Sequence, residues 1–120
     1  ALIEMGGDIV ASGAPPGEPG WRIEIPNAPE PERFLLLSNG AVSSSGDTEQ
    51  FVELCGRRYS HIVDPRTALA LTTRLAVTVQ APEGVLSDAL STAVSVLGED
   101  AGRALLANFP GTRLWAKTAP

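Results

Sequence analysis

Hydrophobic positions change their period along this chain. Up to residue 79 they form short runs or alternate with polar residues; from Leu86 onward they follow a helical spacing. Residues 1–5 (ALIEM) read as a buried strand. Gly6-Gly7-Asp8 then supplies a turn in which glycine permits positive φ, and residues 9–11 (IVA) form a second strand-like run. Residues 12–20 (SGAPPGEPG) are a loop punctuated by Pro and Gly. Residues 21–25 (WRIEI) alternate as a half-buried strand does. After a second Pro-rich loop, residues 34–37 (FLLL) form an apolar strand closed by Ser38-Asn39-Gly40. Asn-Gly there predicts a hairpin returning through residues 41–43. Residues 51–54 and 58–61 flank Cys55-Gly56-Arg57 as a further hairpin. Asp64-Pro65 suits a type I turn, and residues 69–73 are a connector. Residues 75–79 (LAVTV) are the strongest strand, β-branched and alternating.

On a helix beginning near Leu86, residues Leu86, Leu90, Ala93 and Leu97 share one stripe, with Ala89, Val94 and Val96 at its edges. That stripe is expected to face the core. The opposite face is Ser87, Asp88, Ser91, Thr92 and Ser95, small hydroxyls and one carboxylate where a solvent face ordinarily carries Lys, Glu or Arg. Asp88 and Thr92 are four apart and sit one above the other. Such a pair of oxygen donors suits a hard cation such as Mg²⁺. The plainer alternative has Asp88 interacting with the helix start and Thr92 as an ordinary polar position. Residues 99–108 predict a second helix with Leu105 and Leu106 inward; Pro110-Gly111 stops it, and residues 113–116 form a last strand. Many strands with two late helices predict an α+β fold, a mixed or antiparallel strand-rich sheet in a single domain over residues 1–120.

Composition narrows the functions. Nine basic against fourteen acidic residues give a net charge of −5, which argues against broad nucleic-acid or anionic-membrane binding while leaving room for one phosphate site. The lone Cys55 forms no internal disulfide, indicates no compartment, and is expected to be a small buried hydrophobe. No apolar run is long enough to span a bilayer, and no signal peptide is visible. Opening on Ala1 and directly into an apolar run, the sequence looks like a processed or truncated piece of something longer.

Residues 43–47 (SSSGD) are either a solvated loop or a backbone segment lining a substrate. His61 is either a structural histidine or a proton acceptor. Asp64 reads as a turn residue that sets the approach of His61, and Arg66 as a surface residue able to reach a phosphate. Asp8 belongs to a turn or to a site wall; Trp21 and Trp115 read as packing.

Taken in order, Gly6-Gly7-Asp8-Ile9, residues 21–25, Ser45-Gly46-Asp47, residues 59–67 (YSHIVDPRT), Val77-Thr78-Val79 and residues 88–93 (DALSTA) resemble the C-terminal half of the ApbE-like FAD:protein FMN transferases. These were formerly labelled thiamine-biosynthesis lipoproteins. The resemblance implies binding of FAD and Mg²⁺, cleavage of the pyrophosphate, transfer of FMN to a Thr or Ser hydroxyl of a target flavoprotein, and release of AMP. It implies Asp88 and Thr92 as magnesium ligands, His61 as the histidine beside the flavin and general base, and Ile62, Ser45 and Gly46 as further cofactor contacts. Such a dense charge needs neutralising and positioning more than covalent help, and a helix start favours phosphate. Two positions depart from the family pattern. Ala68 stands where Gly usually follows DPRT, and Asp47-Thr48 where an aromatic is usual. Family enzymes are more than twice as long, so the resemblance also implies a partner, either a separate N-terminal half or a second copy. Members are often exported and lipid-anchored. The alternative is a non-catalytic remnant that binds flavin nucleotide or acts as an interaction module.

Overall fold

The structure, a computed structural model, describes residues 1–46 and 50–119. Its elements in chain order are strands β1 (Leu2–Met5), β2 (Asp8–Ala11), β3 (Trp21–Glu24), β4 (Phe34–Leu37), β5 (Gly40–Ser45), β6 (Phe51–Leu54), β7 (Arg57–Ser60), β8 (Val63–Asp64), β9 (Leu69–Ala70) and β10 (Leu75–Ala81). Helices α1 (Gly84–Leu97) and α2 (Glu99–Leu106) and strand β11 (Arg113–Thr118) follow. Five strands make one sheet in the order β1-β2-β5-β10-β11, with every neighbouring pair antiparallel. Three two-stranded ribbons, β3–β4, β6–β7 and β8–β9, are attached to it. The α+β expectation holds. The late helices α1 and α2 share one face of the sheet, where Val77, Val79, Leu90, Val94 and Leu106 form a buried cluster. On the other face the β3–β4 ribbon, through Ile23 and Leu37, and Ile25 just after β3 pack against Val42 and Trp115.

Two hairpins follow from two-residue turns in which both residues have positive φ, the geometry that matches strand twist. Gly6 (φ 61°) and Gly7 (φ 93°) join β1 to β2, and Cys55 (φ 52°) and Gly56 (φ 74°) join β6 to β7. Cys55 is therefore exposed at a hairpin tip and is not the buried hydrophobe expected, because the turn carries it away from any core. Asn39 has the positive φ of its turn (52°), yet β4 and β5 do not pair. The expected hairpin is instead a corner where the chain leaves the β3–β4 ribbon for the main sheet, and Asn39 Oδ1 accepts the Gly13 N–H (2.8 Å) to hold it. Strand β1 is not buried either. It is the sheet edge, with Ile3 70% and Met5 78% exposed, since α1 does not reach over it.

The largest correction concerns α1. Its inward residues are Ser87, Leu90, Ser91, Val94 and Ser95, while Leu97 is exposed. The serine face expected to meet solvent lies against the sheet. Ser43 Oγ on β5 bonds Ser87 Oγ (2.7 Å), and Ser45 Oγ bonds Ser91 Oγ (2.7 Å). Each helix serine also donates to a carbonyl of its own helix: Ser87 to Gly84 O, Ser91 to Asp88 O and Ser95 to Ser91 O. Small side chains let helix and sheet approach closely, and paired hydroxyls remove the cost of burying them. Asp88 and Thr92, on the flank of this face, stay exposed.

Candidate functional site

A cleft of about 720 Å³ opens where the C-terminal end of β5, the β1–β2 turn, loop 26–27 and the flank of α1 meet. The rigid antiparallel pairing of β5 between β2 and β10 sets its floor. The segment 43–47 is thus strand up to Ser45, with Ser44, Ser45 and Gly46 lining the cleft; Asp47, Thr48 and Glu49 lie outside the described residues. Of the residues singled out from sequence, His61, Ser45, Gly46, Asp88 and Thr92 all line this one cleft, as does Asp8. Ile62 does not: its side chain is buried, and its N–H donates to Ser60 Oγ (3.1 Å).

His61 is oriented by one carbonyl. Both its backbone N–H (3.2 Å) and its ring Nδ1 (3.1 Å) meet Gln50 O. A carbonyl only accepts, so Nδ1 carries the proton and Nε2 keeps a lone pair, the tautomer a proton acceptor needs. The turn that follows is closed by Thr67 N–H (3.2 Å) and Ala68 N–H (2.8 Å) donating to Asp64 O. The Asp64 carboxylate accepts from Arg66 through its backbone N–H (2.9 Å), Nε (3.0 Å) and Nη2 (2.8 Å). The side-chain bonds of Arg66, then its backbone N–H, hold the Asp64 carboxyl below its ordinary range. Asp64 and Arg66 are a structural pair, and Arg66 does not line the cleft.

Asp88 and Thr92 lie one turn apart on exposed α1 positions facing the cleft. Ser91 gives its proton to Asp88 O, so Ser45 gives its own to Ser91. The long contact of Ser45 Oγ with Thr92 Oγ1 (3.4 Å) therefore has Thr92 as its donor, and the Thr92 lone pairs remain available. Carboxylate and hydroxyl oxygens fit a hard cation. Two protein donors are the usual share for Mg²⁺, which fills its remaining positions with water and substrate phosphate. Among the described residues there is no cluster of three or more His, Cys, Asp or Glu that would hold a metal unaided.

The cleft is acidic. Glu4, Asp8, Glu24 and Asp88 line it, and among the described residues no Lys or Arg does. Sequence reading reached Ser44 only as part of the 43–47 segment and missed Asn27, Thr78, Glu24 and Gln50 as lining residues. An Asn in a Pro-rich loop and a Thr in a strand carry no local signal of a shared site. Trp115 packs in the core as expected, its Nε1 donating to Glu32 Oε2 (2.9 Å).

The sequence profile of the ApbE family matches residues 1–115. A Haemophilus influenzae protein named FAD:protein FMN transferase is 38% identical over 106 residues, 82% of this chain and 30% of that protein. A Treponema pallidum protein of the same name is 35% identical over 124 residues, 92% of this chain and 34% of that one. Among solved structures, the apo form of Pseudomonas stutzeri flavinyl transferase ApbE matches with a TM-score of 0.78 at 37% identity, covering 99% of this chain and 38% of that one. The chain thus spans about a third of the length of the relatives it matches.

Proposed function

The chain belongs to the ApbE family, and from that membership we propose that its cleft forms part of the site of a magnesium-dependent FAD:protein FMN transferase. In the proposed reaction a Thr or Ser hydroxyl of a target protein attacks the phosphorus of the FMN moiety. A new phosphoester bond forms, the pyrophosphate bond breaks, and AMP leaves. His61 Nε2 takes the hydroxyl proton as general base. Asp88 and Thr92 would hold Mg²⁺, which when bound neutralises the pyrophosphate charge. Ser45 and Gly46 line the path of the nucleotide, and Ile62 contributes through the backbone that places His61.

The observation that carries this reading is the convergence of His61, Ser45, Gly46, Asp88 and Thr92, up to 47 positions apart, on one cleft. The charge of the wall supports the metal. A diphosphate entering among Glu4, Asp8 and Asp88 meets like charge, and a divalent cation reverses it. Since the relatives are about three times as long, the reading includes a further segment or a second copy that completes the cleft. The turn from Asp64 to Ala68 keeps its hydrogen bonds with alanine at a positive φ, which supports the catalytic reading beside the alternative of a non-catalytic remnant.

The test is titration of the protein carrying this chain with FAD, with and without Mg²⁺, in the original sequence and in Asp88→Ala. Mg²⁺ is expected to tighten FAD binding about tenfold or more, and Asp88→Ala to abolish the gain. Binding that ignores both the metal and the substitution would remove the metal from the site. Transfer is then read as AMP release and flavin retained on a Thr-bearing acceptor peptide.

A further inference from the structure

Resting on the reading above, we infer that Ser44 is a specificity-determining residue that accepts a hydrogen bond from a ring or amino N–H of the bound nucleotide and has no proton of its own to offer. Asn27 fixes this polarity. Its Nδ2 donates to Ala76 O (3.1 Å) and Trp115 O (2.9 Å), two carbonyls that only accept, so Oδ1 is the atom turned to Thr78. Thr78 Oγ1, 2.9 Å away, spends its single proton on that Oδ1. Ser44 Oγ lies 3.0 Å from Thr78 Oγ1, which has nothing left to donate, so Ser44 is the donor there. Its proton is committed and only lone pairs remain for the cleft. Thr78 is buried, whereas Ser44 is exposed and lines the cleft.

The neighbouring hydroxyls of β5 are committed in the same direction. Ser43 donates to Ser87, whose proton goes to Gly84 O, and Ser45 donates to Ser91, whose proton goes to Asp88 O. A carbonyl or phosphate oxygen brought against Ser44 sets lone pairs against lone pairs. A ligand hydroxyl can rotate to suit either polarity, but an N–H can only donate, so the acceptor-only hydroxyl of Ser44 selects for it. FAD carries two such groups, the imide N–H of its isoalloxazine and the amino group of its adenine.

The experiment compares FMN with 3-methyl-FMN, and ADP with N6,N6-dimethyl-ADP, for binding to the whole protein carrying these residues. The original sequence is expected to prefer the unmethylated ligand about tenfold in the arm whose N–H meets Ser44. Ser44→Ala collapses that preference to within about twofold, and Ser44→Thr, which keeps the hydroxyl, retains it. A general structural effect would weaken both members of a pair alike and leave the ratio unmoved. Binding of FMN or ADP with no methyl discrimination, or with discrimination that survives Ser44→Ala, overturns the role of Ser44 and leaves the proposed function standing. Binding of neither nucleotide overturns both.

Discussion

At the residue scale, Ala68 and Asp64 are the informative positions. Ala68 adopts φ 59°, the left-handed region where glycine is at ease and a Cβ is strained. Ala68→Gly is therefore expected to stabilise the protein by about 1 kcal/mol, read as a raised urea midpoint at unchanged m-value. Asp64 contributes in the opposite sense through charge. Its carboxyl is held below the ordinary range by the Arg66 side chain and backbone N–H, so the folded state binds a proton less readily than the unfolded chain. The stability it supplies is present above the unfolded value of about 3.9 and is lost as pH falls through the lower folded one. Asp64→Asn should melt below the original sequence at neutral pH, and the gap should close as pH falls below about 4 in thermal scans. The shared exposed flank of Asp88 and Thr92 was legible in their four-residue spacing, whereas His61, a lone histidine, stood out only through the run it shares with the family. Asn27 was not legible, because its meaning lies in Thr78, 51 positions away.

At the element scale, hydropathy misreads a helix seated on hydroxyls. The inward positions of α1 keep the i, i+3, i+4, i+7, i+8 spacing, but three of the five are Ser, so apolar stripe-finding rotates the helix toward Leu86 and Leu97. A buried Ser–Ser pair across two elements leaves no mark in either segment alone. The α1–α2 contact was equally silent. Gly102 lies so close to Val94 that a Cβ built there would stand 2.6 Å from Val94 Cγ1. Gly102→Ala should raise helix propensity yet cost about 1–3 kcal/mol in net stability, because the buried valine has nowhere to move. Chemical denaturation gives the sign directly. Turn chemistry was the most readable local signal: Cys55-Gly56 closes a hairpin as expected, Gly6-Gly7 has the positive φ expected and closes a further hairpin, and Asn39 kept its backbone and changed its partner strand.

At the scale of the whole molecule, strand positions were largely visible and strand order was not. Each strand advertises itself by its own side chains. The adjacency of β2 with β5, and of β5 with β10, depends on which faces find apolar partners across the chain. The sheet keeps an uncovered margin at β1, where Ile3 pairs with Val10 on the helix side; both are exposed, and α1 meets Val10 only at its first residue, Gly84. The serine-lined seat of α1 has a calorimetric consequence. Melting this contact hydrates hydroxyls alongside hydrocarbon, and polar hydration offsets the apolar contribution to the heat-capacity increment. Scanning calorimetry should give an increment below the roughly 1.4–1.8 kcal/mol/K usual for 120 residues. The curve of stability against temperature is correspondingly broad and shallow, and the domain loses little of its stability on cooling.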